Sequence, residues 1–369
     1  MYDRAAPWEA RGGNAIKRRE LLIRTGAAAA GGLLAACGGG VATPGAPPSS
    51  APSAPARTAS PVPSPIKVKI GWVSVSAANS AIWSAEDGGY LKKYGLDADV
   101  LNIADSTQAV AAMLAGEVPL NCGLSGTAVV SSVLGGSDLV ILAATVATFP
   151  NSLYGKADIP NVAALKGRRI GVTRIGTASD TAARYGLRSG GVDPKDVQFI
   201  QTGGLRETIA ALQAGQIDAG ALSPPESLIA RGLGFKEIVD VGKLGIEYVY
   251  NGVVTSRAYA QKNSAAIEAT LKAVVEGEHR FRTDGVFGKK LIADRTKLTD
   301  AAQVEETYTL FAKTYLKEPP FVTDAAIQNT LDDVANTNAK AKGADPKQFI
   351  DQTWMKKLED SGFFKGLTP

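Results

Sequence analysis

The chain is almost empty of the side chains from which enzyme and metal centres are most often built. One histidine and two cysteines stand among its 369 residues. No Cys/His cluster has the spacing of a zinc site. The lone His279, set in Glu276-Gly277-Glu278-His279-Arg280, fits a solvated helix position better than a base or a ligand. Neither a Gly-x-Ser-x-Gly elbow nor a Gly-x-x-x-x-Gly-Lys-[Ser/Thr] loop occurs. The expectation is a protein without a metal, a cofactor or a reaction of its own. After residue 36 no apolar run approaches the ~20 residues needed to span a bilayer. An excess of one charge is also missing: residues 1–36 hold six basic and three acidic side chains, and the rest of the chain 34 against 33. That near-balance points away from nucleic acid as a partner.

The beginning of the chain, by contrast, is strongly patterned. A basic cluster, Lys17-Arg18-Arg19, precedes a short apolar stretch, Thr25 to Ala36, which ends in Leu34-Ala35-Ala36-Cys37. A charged start, an apolar middle and small residues at a cut are the layout of a secretory signal. A cysteine straight after two alanines resembles a bacterial lipobox, whose cysteine receives a diacylglyceryl group and becomes the first residue. Two acyl chains hold a protein to a membrane firmly where one holds it marginally. Arg18-Arg19-Glu20-Leu21-Leu22 also resembles a twin-arginine export signal, and a general secretion signal fits equally. Residues 1–36 are thus expected to be a lipoprotein signal peptide. Residues 37–65 follow as a lipid-anchored tether of Gly, Ala, Ser, Thr and Pro, with Arg57 its only charge. Such a segment cannot bury a core. Once Cys37 is lipidated, Cys122 is left without a partner, so no internal disulfide forms.

From Ile66 the chain alternates. Short β-branched runs at 67–73, 98–103, 119–123 and 139–146 read as strands, and 81–94, 107–115 and a segment from Ser125 read as helices. The cycle restarts with strands at 169–173, 197–200 and 219–222 and helices at 178–189, 205–214 and 225–231. Alternation with short loops implies parallel sheets covered on both faces. Two segments match: Ala112-Met113-Leu114-Ala115-Gly116-Glu117-Val118 and Ala211-Leu212-Gln213-Ala214-Gly215-Gln216-Ile217. Each reads as a helix end, a glycine stop and entry to a buried strand, which predicts two similar lobes. From Ser264 onward helices are expected at 265–283, 300–316 and 324–339.

Ala85 to Leu96, Ala115 to Val118, Ala164 to Val172 with the turn Gly176-Thr177-Ala178-Ser179, and Leu212 to Ala219 stand in a recognisable order. The chain resembles the solute-binding proteins of ABC importers, in the nitrate/taurine/alkanesulfonate branch that also holds thiamine-precursor binders. It departs from that pattern at Pro119-Leu120-Asn121, where an aspartate is common. The resemblance implies an α/β, two-lobe periplasmic-binding-protein type II fold with a helical C-terminal part. Lobe 1 would hold 66–147 and 252–369 and lobe 2 148–251, with hinge crossings near Ala147-Thr148 and Tyr248 to Asn251. It also implies a monomer exported to the outer face of the cell membrane, delivering a small-molecule ligand to a permease and its ATPase.

In open α/β sheets ligands sit beyond the carboxyl ends of strands, where helix starts present free N–H groups to an anion. Ser125, Gly126 and Thr127 form one such start, and Gly176, Thr177, Ala178 and Ser179 another. Ser76 and Asn79 lie in a third, with Trp83 one turn on as a ring that could floor the site and Glu226 at a helix start on the same crevice. Removing the hydroxyl of Thr127 or Ser179 is expected to weaken binding with little loss of fold. Two other readings share the fold: a lipid-anchored sensor for a membrane receptor, and an exported pyrimidine-forming enzyme, a reaction whose known forms depend on the histidine and cysteine that are scarce here.

Overall fold

The computed structural model describes residues 64–367, which belong to one compact unit, Pro61–Pro369. The signal segment, Cys37 and all but the last two residues of the tether lie outside the described residues.

Lobe 1 opens with β1 (Ile66–Val73), α1 (Ser80–Asp87), α2 (Tyr90–Lys93), β2 (Leu96–Ile103), α3 (Ser106–Leu114), β3 (Leu120–Leu124), α4 (Gly126–Leu134) and β4 (Leu139–Thr148). Lobe 2 runs β5 (Ser152–Gly155), β6 (Arg169–Val172), α5 (Ala178–Ser189), β7 (Gln198–Gln201), α6 (Leu205–Gln213), β8 (Ala219–Leu222), α7 (Glu226–Gly232) and β9 (Lys236–Asp240). The chain returns through β10 (Glu247–Ser256). It ends in α8 (Arg257–Lys262), α9 (Ser264–Thr283), α10 (Gly285–Thr296), α11 (Ala301–Leu310), α12 (Asp324–Ala335) and α13 (Thr353–Asp360).

The two sheets have one plan. Lobe 1 is ordered β2-β1-β3-β10-β4 and lobe 2 β7-β6-β8-β5-β9. In each, the fourth strand is the one that has just arrived from the other lobe, and it runs antiparallel to both neighbours. The sheets are therefore mixed, not wholly parallel as the alternation suggested. The return crossing also falls earlier than expected. Tyr248 to Asn251 lie inside β10, which pairs with β4 from Glu247↔Thr148 onward, so the chain crosses at 241–246 and, on the way out, at 149–151.

The repeated heptapeptides occupy equivalent places. Gly116 and Gly215 have φ of +75° and +67°, a conformation glycine adopts without a Cβ clash. The next amides, of Glu117 and Gln216, bond back to the carbonyls of Ala112 and Ala211 at 3.0 and 2.9 Å. Each turn then delivers the chain into the third strand of its sheet.

One apolar core joins the lobe 1 sheet to α1, α9 and the C-terminal helices and reaches the crossings. There Phe149 packs on Tyr248 with ring centroids 4.3 Å apart and on Tyr185 at 5.3 Å. Lobe 2 keeps two smaller cores, one on each face of its sheet.

Candidate functional site

The carboxyl ends of β1, β3 and β6 face one another across the lobes and enclose a cavity of about 50 Å³. Ser76, Asn79, Ser125, Thr177, Ala178 and Ser179, all singled out from sequence, line it. Each arrives on the connection that follows a strand or, as with Ala178 and Ser179, in the first turn of the next helix.

What those side chains are free to do differs. Asn79 is committed: its Nδ2 donates to the carbonyls of Val73 at 2.9 Å and Ser74 at 2.8 Å, and its Oδ1 accepts from Asn251 at 3.3 Å. Ser125 caps α4 by accepting from the Ala128 amide at 3.4 Å. Ser179 accepts from the buried Thr173 amide at 3.0 Å and shares a 2.7 Å bond with the Thr173 hydroxyl. Thr177 occupies the cap position of α5 but makes no side-chain cap bond, and its hydroxyl donates to the Arg174 carbonyl at 2.7 Å. The α5 start thus meets the cavity with no cap side chain on its first amides, the partly positive end of a twelve-residue helix.

Five other expected residues lie elsewhere. Trp83 is wholly buried and meets Trp72 edge-on at 5.3 Å, so it is a core ring and not the floor of the cavity. A Cβ on Gly126 would stand 2.8 Å from Val249 Cβ, so this glycine serves close packing of α4 on β10. Thr127 and Gly176 meet each other: the Thr127 hydroxyl donates to the Gly176 carbonyl at 3.2 Å, across the lobes. Glu226 is fully buried behind the wall. Neither of its carboxylate oxygens has a hydrogen-bond partner, and Arg206 Nε is 3.9 Å away. Burial pushes its carboxyl up to about 7, against the pull of its own amide and of Arg206.

The wall also holds residues that the sequence did not mark. Asp105, and not Ser106, caps α3, with Oδ1 accepting from the Thr107 and Gln108 amides at 2.8 and 3.0 Å. Leu205 opens α6, and Tyr250 and Asn251 come from β10. Burial pushes the Tyr250 phenol up to about 12, so it stays a hydroxyl. An Asp-Ser pair before a helical run was the one available signal; Tyr250 reaches the site only through the placement of β10. Among the described residues the wall contains no cysteine, histidine or lysine, and its one carboxylate, Asp105, is already bonded. Cys122 lies in the core, where burial pushes its thiol up to about 12.

The lobes touch on several sides of the cavity. Ser76 and Ser223 hydroxyls are 3.2 Å apart, Arg174 Nε donates to Asp105 Oδ2 at 2.8 Å, and Thr181 donates to Asp333 at 2.9 Å. This is a closed arrangement.

Two lobes of one plan, crossed twice by the chain and shut on a polar cavity, make up the fold of periplasmic binding proteins. A family model described as NMT1/THI5 like matches residues 78–282, more than half the chain, and the chain belongs to that family. It is 28% identical over 194 residues to a protein of Brachyspira hyodysenteriae named as an ABC transporter periplasmic binding protein, an alignment covering 52% of each. The chain spans about half the length of the curated relatives it matches. Among solved structures it is similar to the periplasmic aliphatic sulphonate binding protein SsuA of Escherichia coli, with a TM-score of 0.64 and 22% identity over 79% of this chain and 99% of that one. The periplasmic nitrate-binding protein NrtA of Synechocystis gives a TM-score of 0.64 and 14% identity, covering 80% and 89%.

Proposed function

We propose that this protein is the extracytoplasmic solute-binding component of an ABC importer. It captures a small anionic or strongly polar solute between its lobes, closes, and presents it to a membrane permease driven by an ATPase. The observation that carries this reading is the polar cavity shut between two lobes at the uncapped start of α5. Free amides and the helix dipole favour an anionic group there. The names of its relatives, for sulfonate and nitrate binding, support an anion; an aromatic acid or a thiamine precursor would use the same helix start. The monomer would be exported and held at the outer face of the membrane by a lipid on Cys37.

The test is a thermal-shift screen of residues 61–369 against sulfonates, inorganic anions, aromatic acids and pyrimidines. A ligand bound only by the folded state raises the midpoint by mass action. A rise confined to one class names the solute class. No rise with any class counts against the reading.

A further inference from the structure

The inner cavity, at about 50 Å³, is far smaller than the roughly 300–1,000 Å³ of pockets that hold drug-sized ligands. It has a neighbour. Ser74, just after β1, and Leu205, at the start of α6, also border a second cavity of about 380 Å³, which by itself lies in that range.

The second cavity is walled by both lobes and its charges are not balanced. Arg206 comes from lobe 2 and Lys297 from lobe 1. They are drawn together by closure, since Arg206 Nη2 donates to the carbonyl of Thr296, the residue before Lys297. A third cation on the wall, Arg295, is already held by Glu86 and Asp87. Lys297 forms no ion pair among the described residues. The carboxylate paired with Arg206 is the buried Glu226, at 3.9 Å and beyond hydrogen-bond length. Glu207, the only acid on this wall, is folded back against Gly204 at the start of α6. Two cations from opposite lobes thus border one cavity, and among the described residues neither has an acid within hydrogen-bond distance.

We propose that the solute is a two-ended anion, with one acidic head in the inner cavity and a second acidic group in this vestibule between Arg206 and Lys297. The inference rests on the solute-binding reading. It names a class within it: a short organic body with an acid at each end. The inner cavity would take the head, and Ser74 and Leu205, which border both cavities, mark the side on which the body would leave. A second acid offsets the repulsion that closure builds between Arg206 and Lys297. A solute with an apolar tail would leave Arg206 and Lys297 to solvent and forgo both contacts, which disfavours it beside a two-ended anion.

The experiment measures dissociation constants of the full chain by calorimetry for matched pairs: butane-1-sulfonate against 4-sulfobutanoate, and benzoate against terephthalate. The wild type is expected to bind the two-ended member of one pair roughly tenfold more tightly, the gain of a charge-assisted contact. Lys297→Gln, and separately Arg206→Gln, is expected to remove most of that preference. Equal affinity for both members of a pair that binds overturns the inference while leaving the binding reading in place. So does a loss that falls equally on both members in the two variants, because Arg206 and Lys297 would then serve closure alone. A wild type that binds neither pair overturns the inference, and the thermal-shift screen over all four classes then decides the binding reading. Lys297 is exposed, so its variant is expected to fold even if Arg206→Gln does not.

Discussion

Arg174 of lobe 2 reaches across the cleft to Asp105 of lobe 1, Nε to Oδ2 at 2.8 Å, beside the cavity. The same Asp105 caps α3 with its other oxygen, so the bond ties a helix of one lobe to the loop that precedes α5 in the other.

Arg174→Ala should shift the free protein toward an open form. Arg174 is about 40% exposed, so solvent screening limits the pair to about 1 kcal/mol, a fivefold weakening of solute affinity. Small-angle scattering should give a larger radius of gyration for the ligand-free variant. An unchanged radius and affinity would show that other contacts hold the lobes shut.

Ser179→Ala should cost stability before it costs binding. Its hydroxyl is the acceptor for the buried Thr173 amide, and a buried donor left unpaired costs about 1–3 kcal/mol. The midpoint should fall by a few degrees, on the order of 2–4 °C per kcal/mol in a domain of this size or smaller. This revises the sequence-based expectation of little loss of fold. Thr127→Ala, whose hydroxyl reaches the Gly176 carbonyl of the other lobe, should spare the midpoint and weaken affinity.

Glu226 sets a pH dependence of known sign. Its folded carboxyl is raised from 4.5 to about 7 by burial, so between those values the folded state binds more protons than the unfolded one. Stability falls as pH rises through that window, by roughly 3 kcal/mol from this group, and levels off above it. The charges facing it are those of Arg206 and Glu207. Glu226→Gln should flatten the slope measured by denaturant unfolding at pH 5 and pH 8. Glu278, buried and raised in the same direction, keeps a residual slope in both proteins. Identical slopes in wild type and variant would rule out the assignment.

Trp83→Ala should destabilise by about 3–5 kcal/mol, the cost of emptying a core ring site. Trp83→Phe should leave solute affinity unchanged, because the ring touches the core and not the cavity. A selective loss of affinity in the phenylalanine variant would place the ring in the site after all.

Local pattern was enough for much of the fold. The helix read at 178–189 and the strand read at 219–222 match α5 and β8. Most other ends moved by a residue or two, as helix and strand boundaries do, but the helix read at 324–339 stops at Ala335 and the one read at 300–316 leaves α geometry after Leu310. The helix read at 81–94 divides into α1 and α2 at Gly88-Gly89, where Gly89 takes φ +76°. Strands β5 and β9 were not read, because each is short and pairs with residues far along the chain. Helix α10 was not read either: Gly285 and Gly288 blur its start.

The order of elements, the glycine stops, the cap residues and the polar loops at strand ends were set by the chain itself, because caps, turns and apolar periods act over a few residues. Tertiary structure alone decided that the crossing strands run antiparallel, that Trp83 turns inward, and that Tyr250 and Leu205 meet the same cavity. It also decided that Arg206 and Lys297 face one vestibule. Those outcomes depend on which segments, many tens of residues apart, bury surface against each other, and no local pattern encodes that choice.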